Sequence, residues 1–286
     1  MSGQANRVVS SPRLLDLLTL ERVEVNLFLT PVLHEGPSGL YGGQVAAQAL
    51  RAAAATVAPE RHPHSLHGYF LSRGDASRPV LLTVYQDRDG RSYSNRRVIA
   101  VQEGKVIFNM AASFHVTEPG LDYQAHTAPE VTQPDELPDS GIHGLLVGVD
   151  IRIPEQARPD QRRPSRVWMR ASDELGDDTL HACALTYVSD MFTGLPDTPG
   201  FDRIGPPTSI DHAVWFRRRV ALDDWVLMDP AAGVDRGRPR HVHRTDLQPG
   251  RDAGSNPRAG VGVADRGDSR LAPPPGRPGR ICSINC

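Results

Sequence analysis

Long apolar runs, cysteines, aromatic residues and net charge are all scarce in this chain, and each scarcity excludes a class of protein. No apolar run reaches the roughly 18 residues that a membrane-spanning helix needs. The opening MSGQANRVVSSPRLLDLL has no continuous apolar core and no small-residue cleavage site, so no secretory signal is expected. Cys183, Cys282 and Cys286 are the only cysteines, and they form neither a metal-ligand spacing nor a disulfide framework. No metal or cofactor is expected, and the chain reads as cytoplasmic. Its formal charge of −2 favours neither nucleic acid nor an acidic membrane surface. A G-x-S-x-G elbow is absent as well, which argues against an α/β-hydrolase.

What is present fits one large domain or two small ones in 286 residues. Residues 12–20, PRLLDLLTL, read as a short amphipathic helix, and Glu24 to Thr30 as a strand. Glycines 39, 42 and 43 lead into an alanine-dense helix over Val45 to Val57, ended by Pro59. Alanine is both the best helix former and the smallest, so a sheet can approach such a helix closely. Four strand-like runs follow, bounded by turn residues: His64 to Ser72, Val80 to Gln86, Tyr93 to Gln102 and Val106 to Val116. A strand, a helix and an antiparallel meander describe an α+β unit in which a curved sheet wraps one helix. That is the hotdog arrangement.

A proline-rich stretch, residues 119–164, reads as a linker with a short strand near Leu145 to Ile153. The pattern then begins again. Arg166 to Ala171 is a strand, Leu180 to Leu195 a helix, and Ser209 to Phe216 and Trp225 to Met228 are further strands. His67 and His212 lie 145 positions apart (212 − 67), and at that offset Val80-Leu81-Leu82 overlies Trp225-Val226-Leu227. The order of elements repeats with it, which makes a double hotdog. The same offset places the last two strands of the second unit near residues 238–261, where prolines, glycines and arginines crowd out any strand pattern. No aromatic residue follows Trp225. The expected organisation is an N-terminal hotdog (1–118), a linker (119–164), an incomplete C-terminal hotdog (165–230) and a disordered tail (231–286). A natural tail and an altered reading frame both account for the break, and its abruptness after Pro230 favours the second.

One polar residue stands out in the second helix. Leu180, Ala184, Tyr187, Val188 and Met191 recur at helical spacing, and Ala182, Cys183 and Leu185 make the other faces apolar too, the pattern of a buried helix. Asp190 interrupts it, and a buried carboxylate must be hydrogen-bonded, neutralised or used. With the hydroxyls of Thr208 and Ser209 opening the next strand, one reading is a water-activating site. The other is a carboxylate that caps or salt-bridges the helix C-terminus, and the local sequence leaves both open. Cys183 reads as an inert buried thiol, and the repeat mates His67 and His212 as structural.

The motifs YGGQVAAQAL (41–50), HSLHGYFLSRGD (64–75), RSYSNRRVIAVQEGKVIF (91–108), YVSDMF (187–192) and SIDHAVWF (209–216) resemble those of the type II acyl-CoA thioesterases. The resemblance runs from about residue 20 to 230. It implies a double-hotdog hydrolase of fatty acid metabolism that takes acyl-CoA, needs no cofactor and inserts in no membrane; a homo-oligomer is compatible with it. In that family an Asp, a Ser or Thr and a Gln hold a water that attacks the thioester. The first falls on Asp190 and the second on Ser209. The motif that carries the Gln is absent here, and Gln248 stands in a different context. Backbone N–H groups at Gly42, Gly43 and Gln44 are the candidates for an oxyanion hole. Arg73, Arg91, Arg96 and Arg97 are candidates for CoA phosphates, and Arg96 matches an arginine of the family's strand motif. The competing reading is a catalytically impaired acyl-CoA-binding remnant, since the third catalytic residue and two strands are missing. Hotdog hydratases fit less well, for lack of their Asp-x-x-x-x-His pattern.

Overall fold

The computed structural model describes residues 12–33, 38–118, 129–142, 144–154, 166–191, 209–229 and 280–282. In chain order the elements are α1 (Leu14–Leu18), β1 (Glu21–Glu24), β2 (Leu27–Leu29), α2 (Gly42–Ala54), β3 (Arg61–Phe70), β4 (Leu81–Asp89), β5 (Tyr93–Gln102) and β6 (Lys105–Val116). A second pass gives β7 (Val149–Arg152), β8 (Val167–Ala171), α3 (Asp178–Ser189), β9 (Asp211–Trp215) and β10 (Val226–Met228), followed by β11 (Arg280–Cys282). Thr208, Gln248 and residues 192–195 of the expected helix lie outside the described residues.

Local chemistry explains most of these boundaries. Along β5 every second side chain is buried, from Ser94 through Arg96, Val98 and Ala100 to Gln102, the period of a strand with one face on the core. Glu103 (φ 50°) and Gly104 (φ 77°) close the β5–β6 hairpin, a pair of positive φ values that matches the twist of the flanking strands. The single strand expected over Glu24 to Thr30 is instead the second half of a hairpin. Asn26 adopts φ 63°, a left-handed conformation that asparagine tolerates, and reverses the chain between β1 and β2. The proline-rich stretch also contributes β7, which pairs with β8.

Helix α2 lies at the centre of the core. Ala46, Ala47, Ala49, Leu50, Ala52 and Ala53 are fully buried, and α3 packs on α2 through an equally buried set that includes Cys183, Ala184 and Val188. Short alanine side chains let the two helices and the sheet approach at once. The one long polar side chain in the middle of α2, Gln48, is fully buried and donates from Nε2 to the Leu17 carbonyl of α1 at 2.9 Å.

Strand pairing records the internal repeat. One sheet runs β1-β2-β4-β5-β6-β3-β9 and the other β11-β10-β8-β7. Across the β3–β9 ladder His67 faces Ala213 and Gly68 faces His212. At the offset of 145 (212 − 67), Ala213 is the counterpart of Gly68, and His212 that of His67. Each residue therefore meets its neighbour's counterpart, and a local two-fold passes between them. The outer ladders repeat too: Phe28 pairs with Leu82, and Trp168 with Leu227. This is a double hotdog. In the first half β5 and β6 connect β4 to β3; among the described residues nothing connects β10 to β9. The only described partner on that side is β11, three residues in parallel with β10, and it falls within the stretch expected to be disordered. The remainder of that stretch lies outside the described residues, and all the described residues belong to one compact unit.

Candidate active site

The C-terminal end of α3 meets the N-terminal end of α2 where the sequence places its unusual aspartate. Helix α3 ends at Ser189, and Asp190 is its C-cap residue, with an amide that donates to the Val188 carbonyl. Its carboxylate serves the other helix. The Gly43 amide in the first turn of α2 donates to it. Oδ2 lies so close to Gly42 that a β-carbon there would come within 2.5 Å. The positive N-terminus of α2 thus faces a carboxylate at the negative end of α3. Gly42 and Gly43 start the helix despite their poor propensity because side chains would collide with Asp190, Phe70, Tyr41 and the Tyr187 carbonyl.

Ser209 completes the pair. Its hydroxyl donates to Asp190 Oδ1 at 2.9 Å. It stands just ahead of β9, where the Ile210 carbonyl accepts from the Phe70 amide at 2.8 Å and fixes the strand against β3. Burial raises the Asp190 pKa, and the hydrogen bonds from Ser209 and Gly43 oppose that rise. A carboxylate with a raised pKa, bonded on one oxygen to a hydroxyl, is a proton acceptor poised for general-base chemistry.

A second link runs alongside. His212 Nε2 lies 2.8 Å from Ser189 Oγ, and the Ser189 hydroxyl donates to the Thr186 carbonyl at 2.9 Å. The pairs 189–212 and 190–209 tie the end of α3 to β9 at two adjacent points. Tyr187 anchors the same turn: its carbonyl accepts from the Tyr41 hydroxyl at 3.0 Å, and its own hydroxyl accepts from the Val147 amide at 2.9 Å. Sequence patterning places Tyr187 on the apolar helix but gives no role to its hydroxyl, to Ser189 or to Tyr41, because buried polar pairs of this kind have no period.

Two sequence expectations change. Arg96 is 2% exposed and saturated. Its guanidinium bonds Thr56 Oγ1, the carbonyls of Thr56, Arg88 and Asn95, and the Asp89 carboxylate at 2.8 Å, which uses all five donors. The alternation of β5 turns this residue inward, where it clamps the end of α2 to the β4–β5 hairpin instead of meeting substrate. Arg97 is likewise paired, with Asp87. The three candidate amides also divide. Gly43 serves Asp190, and Gln44 is closed onto the Tyr41 carbonyl at 3.1 Å. Among the described residues the Gly42 amide is the one of the three that has no acceptor. No group of three or more His, Cys, Asp or Glu residues suited to a metal occurs among the described residues, and no described helix is long and apolar enough to cross a membrane.

Known proteins resemble this chain in sequence and fold. The family profile of the acyl-CoA thioesterase N-terminal domain matches residues 33–115, and that of the C-terminal domain matches residues 125–237. Human acyl-coenzyme A thioesterase 8 is 33% identical, with 77% of this chain and 80% of the relative covered. Acyl-CoA thioesterase 2 of Haemophilus influenzae is 32% identical, with coverage of 75% and 84%. The crystal structure of an acyl-CoA thioesterase II from Mycobacterium marinum, 39% identical, superposes with a TM-score of 0.61 over 75% of this chain and 83% of that one. A hotdog-fold protein of Alicyclobacillus acidocaldarius, at 19% identity and a TM-score of 0.55, shares the fold over 72% of this chain and 78% of its own.

Proposed function

This chain belongs to the type II acyl-CoA thioesterase family, and on that premise we propose that it hydrolyses fatty acyl-CoA by direct attack of a water held at Asp190. The observation that carries the reading is the 2.9 Å hydrogen bond from Ser209 to Asp190, placed against the N-terminal amides of α2. Asp190 accepts a proton from the water as its oxygen bonds to the thioester carbonyl carbon. Ser209, with its hydrogen engaged by Asp190, offers lone pairs that orient the water. The Gly42 N–H stabilises the oxyanion that forms. Collapse of the tetrahedral intermediate breaks the C–S bond, and the proton on Asp190 passes to the departing sulfur. The products are a fatty acid and CoA.

A single turnover in ¹⁸O-labelled water tests this route, with enzyme in excess over acyl-CoA. Direct attack places the label in the first fatty acid released. Unlabelled acid in that first turnover means that an Asp190 oxygen attacked the carbonyl and formed an anhydride, and the water mechanism fails.

A second reading, an acyl-CoA binder of impaired activity, is favoured by one observation. Among the described residues β9 pairs only with β3, and no glutamine from a later strand stands at Asp190. Tight CoA binding without thiol release would select it.

A further inference from the structure

A concavity of about 510 Å³ opens beside the segment that leads into α2. Its size is that of a small-ligand site. Ser38, Arg73, Asp75, Gln102, Glu103 and Lys105 contribute to its wall. Arg78 pairs with both carboxylates, with Asp75 at 3.5 Å and also with Glu103, so its single charge offsets one of the two. The frame is rigid. Buried Gln102 accepts from the Asp75 amide at 2.8 Å and donates to the carbonyls of Asp75 and Arg78 at 2.9 and 3.0 Å. Arg73 and Lys105 remain. Both are exposed, and among the described residues neither has a hydrogen-bond or ion-pair partner. The Arg73 guanidinium lies over Gly39, where a β-carbon would come within 2.9 Å of Nη2. With Arg73, Lys105 and Arg78 against Asp75 and Glu103 the groove keeps a net charge of +1 (3 − 2), and its two unpaired cations make a site for an added anion.

We propose that this groove receives the phosphate-bearing nucleotide end of the coenzyme A thioester. The inference rests on the acyl-CoA reading above. Arg73 presents a fork suited to two phosphate oxygens, and Lys105 adds a point charge. Position supports the assignment. Gly39 bridges to Asp75, and the Leu40 amide donates to the Gly74 carbonyl at 3.0 Å, so this segment forms one wall of the groove. Three residues farther on is Gly42, against Asp190, a span of at most about 10 Å of chain. A coenzyme A thioester has its phosphates separated from its carbonyl by the pantetheine arm. It requires an anion site outside the reacting centre, and this groove borders the same segment, residues 39–42, that ends against Asp190.

The test compares acyl-CoA with the corresponding acyl-pantetheine, which carries the same thioester and no phosphate. For the double variant Arg73→Ala, Lys105→Ala, KM for acyl-CoA should rise ~10-fold or more, the scale of lost charged hydrogen bonds. The ratio of kcat/KM for acyl-CoA over acyl-pantetheine should fall by the same factor. Equal loss on both substrates, or no loss on either, overturns the proposal while the hydrolase reading stands. Should the wild-type chain hydrolyse neither substrate, calorimetric titration with free CoA still decides. Binding by the wild type that is lost in the double variant supports the groove, whereas equal binding by both, or none by the wild type, rejects it.

Discussion

His212 and Ser189 are joined through Nε2 and Oγ at 2.8 Å, one residue before the aspartate that accepts from Ser209. Because the Ser189 hydroxyl hydrogen is directed at the Thr186 carbonyl, Nε2 carries the hydrogen of this bond. The imidazole is buried and stays neutral, and burial lowers its pKa to about 4.

The folded-state pKa of His212 is thus depressed below 6.5, so the unfolded chain takes up a proton that the folded chain refuses. Stability contributed by this site is complete above pH 6.5 and falls as pH drops toward 4, by roughly 3 kcal/mol in all. Denaturant titrations of the wild type and His212→Gln at pH 7 and pH 4.5 check this. The wild type should lose more stability between the two pH values than the variant does. Parallel losses would mean that His212 titrates normally.

Asp190 has the opposite sign. Burial, its largest influence, raises its pKa above 3.8, so the folded state disfavours the carboxylate. Its contribution to stability is present at low pH and is lost as pH rises through the raised pKa. Asp190→Asn should therefore be more stable than the wild type at pH 7, and the gain should shrink as pH is lowered past the raised pKa. Thermal melts of both proteins across that range measure the difference. A variant less stable than the wild type at pH 7 would mean that the hydrogen bonds from Ser209 and Gly43 outweigh burial.

Gly42→Ala keeps the backbone N–H but should cost on the order of 10²-fold in kcat by displacing the groups around it. Its β-carbon would meet Asp190 Oδ2 at 2.5 Å and the Phe70 ring at 2.9 Å, so the carboxylate or the helix start must shift. Phe70→Leu on the same background opens space at the ring but not at the carboxylate, and should recover stability without recovering rate. A Gly42→Ala variant with wild-type kcat would mean that the position of Asp190 against the start of α2 does not limit the rate.

Much of this was legible in the residues. The run Tyr93 to Gln102 marked a strand, and the offset from His67 to His212 marked a repeat whose two copies turn out to meet in the β3–β9 ladder. Asp190 stood out as the one carboxylate in an apolar helix, a capping role remained open on the local sequence, and the resemblance of YVSDMF and SIDH to the family motifs set Ser209 beside it. Other features were illegible for physical reasons. Arg96 resembled a substrate residue by motif, yet strand alternation alone would have turned it inward beside Ser94 and Val98. The division of labour among the Gly42, Gly43 and Gln44 amides depends on where a second helix ends, which periodicity does not report. The Asn26 turn was hidden because a single asparagine between apolar residues does not break a strand pattern.

The central claim is that Asp190 is the base and Ser209 its positioning partner. Steady-state release of CoA from a fatty acyl-CoA, followed with a thiol reagent at neutral pH, tests it in three proteins. The wild type should release thiol, Ser209→Ala should be slower by about 10²-fold, the cost of a displaced water, and Asp190→Asn slower by about 10³-fold or more while remaining folded. Release by Asp190→Asn at the wild-type rate would contradict the account.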